Sequence, residues 1–284
     1  MNSNLYVGKK VYIIAGPTAV GKTAQAIELA QQLGASIISA DSRQCYKELN
    51  IGVARPSATE LATVPHYFVA THSVAEDINA GYFEQYALQK VADLFQENDA
   101  VVLVGGTGLY IKAFCEGIDP MPLIPEGVRA DIINNYQQKG LIWLQAELKH
   151  RDPLFWNTAE QQNPQRLMRA LEVLNATGKS IMEFRSAAKK QRPFQIETKL
   201  LDMPMDVLTK RIDIRVDAMV EAGLVDEVKS VIAYRDKTAL QTVGYKEIFD
   251  HLDGKISLDE AIHQIKVHTR QYAKRQLTWF RKYL

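Results

Sequence analysis

The sequence predicts an α/β protein built on a parallel sheet and interrupted by one wholly helical segment. Three observations lead there. Through the first 117 residues, short continuous apolar runs alternate with helix-patterned segments, as when buried parallel strands are joined by crossover helices. Three prolines between Asp119 and Pro125 then break the alternation, and helical pattern alone follows. A short run from Lys199 to Met203 finally reads as a strand returning to the sheet.

Taken in order, Val11 to Ala15 (VYIIA) reads as a buried strand, followed by a glycine-rich turn and a helix from Lys22 to Leu33. Ser36 to Ala40 and His66 to Ala70 are further strand candidates, and Ala80 to Gln96 is an amphipathic helix. Ala100 to Val104 (AVVLV) is another buried strand, running into Gly105-Gly106. From Glu126 to about Ala188 the pattern is helical throughout. One helix there is clearly punctuated: Asn163 suits its cap, Pro164 its first position and Gly178 its stop. The implied division is a first part of the core over 1–118, a helical insertion over 119–194, and a return to the core with basic helices over 195–284.

Composition excludes several classes. Hydrophobic residues make 46% and charged residues 24% of the 284, so a packed globular fold is expected rather than disorder. The net charge of +1 points to no partner, but Ala261 to Leu284 holds six Lys or Arg and no acid. Cys45 and Cys115, far apart, make neither a disulfide framework nor a four-ligand zinc site. The six histidines form no H-x-x-x-H pair, which also argues against zinc. No apolar run precedes the first lysines and none is long enough to span a bilayer. A cytoplasmic monomer with no membrane partner is the expectation.

The chemistry begins at Gly16-Pro17-Thr18-Ala19-Val20-Gly21-Lys22-Thr23, which matches G-x-x-x-x-G-K-[ST] between a strand and a helix. In such a P-loop, glycines let backbone N–H groups wrap a phosphate and the helix start adds its positive end. Lys22 then neutralises the phosphate and the Thr23 hydroxyl serves Mg²⁺. The core is accordingly P-loop NTPase-like, and ATP is expected to compete for this loop through its phosphates. Yet the strand ending at Val104 delivers glycines where an NTPase commonly places its Mg²⁺-organising acid. An acid follows the second strand instead, as Asp41-Ser42. Two readings of Asp41 stand open: a general base beside the loop, or a cap on the next turn.

At this point the chain resembles a family. GPTAVGKT, DSRQCYKELNIGVARP, VGGTGLY, NPQRLMRALEV and RQYAKRQLTWFR follow, in order, the pattern of the tRNA dimethylallyltransferases (isopentenyltransferases), over Val11 to Arg281. Arg43-Gln44 departs from the Ser-Ala or similar pair that members commonly carry there. The resemblance implies transfer of a dimethylallyl group from dimethylallyl diphosphate, bound on the P-loop with Mg²⁺, to N6 of the adenine immediately 3′ of the anticodon in tRNA. It implies that Asp41 takes the proton from the attacking amine, and that Lys22 and Thr23 stabilise the departing diphosphate. It also implies tRNA contacts at Thr107, at Arg129, along Asp41, Ser42, Arg43 and Gln44, and along Gln165, Arg166, Leu167, Met168 and Arg169, with the helical insertion binding tRNA.

Arg166 and Arg169, three apart, share a helix face, which suits an RNA backbone or a solvated charged surface. Lys266, Arg270, Lys274, Arg275, Arg281 and Lys282 are interleaved with Tyr272, Trp279 and Phe280. Such a segment suits a phosphate backbone, with its aromatics expected in the core. The competing activity is a small-molecule kinase using ATP, in which Asp41 activates a hydroxyl.

Overall fold

The computed structural model describes residues 6–186 and 188–284. The segment MNSNL, expected to carry no signal peptide, lies outside them, as does Ala187. Two compact units result, one formed by the residues up to 117 together with 190–284, the other by 118–189.

The first unit holds a parallel sheet of five strands: β1 (Lys10–Ala15), β2 (Ser36–Ser39), β3 (His66–Tyr67), β4 (Ala100–Gly105) and β5 (Gln195–Leu200), in the order β3-β2-β4-β1-β5. Its helices are α1 (Lys22–Leu33), α2 (Ala58–Thr63), α3 (Ala80–Leu94), α4 (Gly108–Glu116), and, after the second unit, α8 to α11 (below). Val11, Ile13, Ile37, Ile38 and Val101 to Leu103 are fully buried, which is why these strands read as unbroken apolar runs. Each such side chain contributes about 2 kcal/mol by leaving water. β1 and β4 are neighbours in register, Ala15 opposite Gly105, and Ser39 of β2 pairs with Val104. The turns after β1, β2 and β4 therefore open side by side at the carboxyl edge, where α/β sheets bind ligands.

The second unit contains α5 (Glu126–Arg151), α6 (Pro153–Trp156), α7 (Pro164–Thr177) and a short 3-10 turn over Ile181–Phe184. Ile132, Leu144, Leu148, Phe155 and Leu171 form its core. α5 is broken at Gly140 (φ 71°, ψ −168°), a conformation open to glycine. α7 is punctuated as expected: the Asn163 side chain accepts from Arg166 N–H at 3.2 Å, and Gly178 N–H closes the end on Leu174 O at 2.8 Å.

The returning chain continues through α8 (Met205–Glu221), α9 (Leu224–Ser230), α10 (Tyr245–Leu252) and α11 (Leu258–Tyr283). No helix among the described residues is long and apolar enough to cross a membrane.

Four expectations need correction. β3 stops at Tyr67 rather than Ala70, because Phe68 and Ala70 take positive φ (62° and 51°). The returning strand spans Gln195–Leu200, not Lys199 to Met203; it is an edge strand whose charged Glu197 and Lys199 mask the apolar signal. Helix does not run unbroken to Ala188, since turns interrupt 157–163 and irregular chain follows Phe184. Finally, residues 190–194, placed by sequence with the insertion, pack on the first unit. Arg192 donates to Phe114 O at 2.6 Å and Ala113 O at 2.8 Å and pairs with buried Glu84 at 2.9 Å.

Candidate active site at the junction of two cavities

The P-loop occupies the turn between β1 and α1. Gly16 has no room for a side chain, because a Cβ there would lie 2.7 Å from Leu201 O. Gly21 (φ 103°) begins the helix, and Ala19 also takes positive φ (64°), so the loop folds back on itself. The Lys22 ammonium donates to Pro17 O at 2.7 Å. Burial pushes its pKa down to about 8, Asp41 opposing the change and Arg215 adding to it.

A cavity of about 380 Å³ opens over this loop, lined by Lys22, Thr23, Arg55, His66, Arg211 and Arg215 among others. Arg211 and Arg215, one turn apart on α8, form no ion pair among the described residues. Burial, with Arg211 beside it, lowers the Arg215 pKa. Asp41 and Glu60 stand in the same lining, yet the two guanidiniums, with Lys22 and Arg55, leave the cavity a cationic surplus that suits an anion.

The missing acid at the end of β4 has a packing cause. A Cβ on Gly105 would meet Ala40 O at 2.2 Å, so the strand cannot carry a carboxylate there. At Gly106 a Cβ would meet the side-chain amide of Gln276 of α11 rather than backbone. Gln276 is buried; its Oε1 accepts from Thr18 N–H at 2.9 Å and its Nε2 donates to Gly106 O at 2.8 Å.

Asp41 follows β2, and the cap on the next turn is present. Its Oδ1 caps the turn, accepting from Arg43 N–H at 2.9 Å and Gln44 N–H at 3.3 Å. Its Oδ2 has no protein partner among the described residues and is left to the cavity. Thr107 steadies the same turn, its Oγ1 accepting from Ser42 N–H at 3.0 Å. Gln44 is turned inward, its amide donating to Ala54 O at 3.0 Å. Cys45 is buried, which pushes its thiol up to about 12, in keeping with an inert residue.

A second cavity, of about 590 Å³, adjoins the first. The two share Thr18, Asp41, Val53, Ala54, Arg215 and Tyr272 in their linings, so Asp41 stands where they meet. One side is cationic and anchored on the P-loop. The other is wide and mixed in charge, with Arg43, Lys246 and Arg275 in its wall. Its inner loop is held by Glu227 of α9, whose carboxylate accepts from the N–H groups of Asn50, Ile51 and Gly52 (2.7–2.9 Å) and from the Tyr245 hydroxyl at 2.6 Å.

A family model described as IPP transferase matches residues 44–283. The chain belongs to the IPP transferase family. Among curated relatives, a tRNA dimethylallyltransferase of Cytophaga hutchinsonii is 46% identical over 98% of this chain and 91% of its own length. One from Bacteroides thetaiotaomicron is 43% identical over 95% and 88%. The full-length tRNA isopentenylpyrophosphate transferase of Bacillus halodurans has a similar structure, with TM-score 0.69 and 36% identity over 96% of this chain and 87% of that one. A eukaryotic dimethylallyltransferase acting on tRNA gives TM-score 0.76 at 27% identity, over 95% and 69%.

Within this IPP transferase the remaining sequence-predicted residues divide. Phe280 is buried and Trp279 packs on Gly108, as expected of core aromatics. Tyr272 differs: it is 39% exposed, lies under Arg275 and lines both cavities. Three of the basic residues on α11 are spent on internal acids: Lys266 on Asp217, Arg270 on Asp213 and Arg281 on Asp202 (2.6–2.7 Å). In the second unit, Leu167 and Met168 belong to the core, so neither side chain is available to RNA. Arg129 and Arg169 both pair with buried Glu172, at 3.5 and 3.0 Å, and Arg166 pairs with Glu160 at 3.3 Å. Gln165 is exposed. Sequence reasoning missed Arg211, Arg215, Glu227 and Gln276. The i, i+4 spacing of the two arginines was the one visible signal.

Proposed function

We propose that this chain, as a tRNA dimethylallyltransferase, joins the dimethylallyl group to N6 of the adenine immediately 3′ of the anticodon, with release of diphosphate. The observation that carries the reading is the position of Asp41 between an anion-binding cavity and a wider one. Lys22, Arg211, Arg215 and the P-loop amides bind the donor diphosphate and offset the charge that develops as the allylic C–O bond breaks. The adenine enters from the wider side, leaving its stack at a cost of a few kcal/mol. A new N6–C bond forms, and the amine's proton passes to the free Oδ2 of Asp41. Thr18 and the turn steadied by Thr107 hold the two reactants in line.

Mg²⁺ fits this site as a companion of the diphosphate. Among the described residues no group of three His, Cys, Asp or Glu is placed to cage a metal. Mg²⁺ commonly takes one or two protein ligands and completes its shell with phosphate and water. Thr23 would hold it, and it supplies further neutralisation of the leaving group. Phosphoryl transfer fits less well, because Gly105 has no space for the acid that a kinase would need there. RNA contacts at Arg129, Gln165, Arg166 and Arg169, on the helical unit, are part of the same proposal.

The test is mass spectrometry of nucleosides from tRNA incubated with the protein, dimethylallyl diphosphate and Mg²⁺. Appearance of a prenylated adenosine is the expected result, with ribonuclease fragments of the same tRNA placing it next to the anticodon. Label passing from γ-labelled ATP to any acceptor, with no prenylated nucleoside formed, would replace the reading with a kinase.

A further inference from the structure

Glu247, in the first turn of α10, is 4% exposed. A buried carboxylate needs hydrogen bonds to be tolerated, and this one has two. One oxygen accepts from Gly244 N–H at 2.8 Å, and the other accepts from His268 Nδ1 of α11 at 2.6 Å. His268 itself is 42% exposed and lines the wider cavity without reaching the P-loop cavity.

That pairing fixes the ring. A carboxylate only accepts, so Nδ1 carries the hydrogen and Nε2 is left as the ring atom offered to the cavity. Nε2 has no protein partner among the described residues. Satisfying Glu247 needs a single donor, and any amide would serve. An imidazole adds a second polar atom on the far side of the ring.

We propose that His268, oriented by Glu247, contacts the sugar–phosphate backbone of the acceptor RNA beside the target adenine. This rests on the function proposed above. If the base reaches Asp41 at the junction, the sugar and phosphate trailing it lie in the wider cavity, where His268 stands. Arg43, Lys246 and Arg275 line that same cavity and suit a polyanionic strand.

Two substitutions separate this role from simple packing. His268→Asn keeps an amide N–H close to the Nδ1 position, and so the bond to Glu247, but removes the cavity atom. His268→Gln does the reverse, keeping a polar group close to the Nε2 position. Binding of tRNA is titrated directly, alongside thermal unfolding and donor binding. His268→Asn is expected to unfold like the wild type, bind the donor normally and lose about fivefold to tenfold in tRNA affinity. His268→Gln is expected to keep most of the tRNA affinity while unfolding at lower temperature. A reduced slope of log affinity against log salt in the Asn variant assigns the contact to a phosphate, met by Nε2–H of the doubly protonated ring. An unchanged slope, with lost sensitivity to 2′-deoxy substitution beside the adenine, assigns it to a ribose 2′-hydroxyl that donates to Nε2 of the neutral ring. Wild-type tRNA affinity in His268→Asn overturns the proposal. If wild-type protein transfers no prenyl group, yet the Asn variant loses tRNA affinity, the RNA contact stands and the reaction assignment falls.

Discussion

Gln276 accepts a hydrogen bond from Thr18 N–H at 2.9 Å, tying the P-loop to a helix 258 residues away in sequence. Its other amide atom donates to Gly106 O, so one side chain joins the turns after β1 and β4. The loop's shape is thus set partly by α11, and not by its own glycines alone.

Replacing Gln276 with Leu removes both bonds and leaves Thr18 N–H and Gly106 O without partners. Each loss costs on the order of 1–3 kcal/mol in a buried setting. Thermal unfolding should move down, and donor affinity should fall because the loop loses its preorganisation. Gln276→Glu should keep the Thr18 bond but set an anion against Gly106 O and beside the diphosphate. Donor affinity in the Glu variant should therefore be the lower of the two; equal affinities would mean that Gln276 serves packing only.

For Asp41, Asn is the informative replacement. Its amide oxygen still caps the turn to Arg43 and Gln44 N–H, so unfolding temperature, donor binding and tRNA binding should be near wild type. Single-turnover transfer should drop by about 10² or more, as for a lost general base. A wild-type single-turnover rate would remove the proton-acceptor role.

Lys22 gives a pH dependence of definite sign. Its folded pKa, about 8, lies below the unfolded 10.5. Between those values the unfolded chain holds a proton that the empty folded protein has released, so the empty fold gains stability as pH rises through that window. Donor binding runs the other way. A diphosphate favours the ammonium, so affinity should fall as pH climbs past about 8, by at most about tenfold per unit. At pH 9 the calorimetric enthalpy of donor binding should vary with buffer ionisation enthalpy, reporting proton uptake. Lys22→Arg should abolish that variation.

What the sequence made legible was local. The P-loop and its helix lie within a few dozen residues, and their spacing alone marks a phosphate loop, whereas the role of Asp41 was left open between a base and a turn cap. The packing cause of Gly105-Gly106 was hidden, because it depends on Ala40 and Gln276 arriving from elsewhere. Arg211, Arg215 and Glu227 were hidden likewise: each is an ordinary surface-type residue on a helix until α8 and α9 fold back over the sheet edge. Leu167 and Met168 show the opposite error. A contiguous motif read as one binding strip alternates, on a helix, between core and solvent.

Arg215 offers a further check on the donor cavity. Arg215→Gln should lower donor affinity about tenfold or more, as expected for one charge-assisted contact to phosphate, and should leave tRNA affinity much less affected. Arg211→Gln should act in the same direction, since both arginines line the P-loop cavity. Unchanged donor affinity in both variants would place the diphosphate outside this cavity.

Glu227 tests whether the wall of the wider cavity is prebuilt. Its carboxylate gathers three successive backbone N–H groups, Asn50 to Gly52, and the Tyr245 hydroxyl, while the Tyr245 ring leaves no room for a side chain at Gly52. Val53 and Ala54, next in the chain, line both cavities. Glu227→Ala strips four donors of their acceptor, and should destabilise the protein by about 2 kcal/mol or more. Tyr245→Phe removes one donor and leaves the nest intact, so its effect should be about 1 kcal/mol. Amide hydrogen exchange separates a local from a global cause: in Glu227→Ala, residues 50–54 should lose protection well beyond the fall in overall stability. The tRNA affinity should weaken with them, while the P-loop still binds donor. If protection at 50–54 falls only in step with the whole protein, Glu227 is a general stabilising contact and the wall does not depend on it.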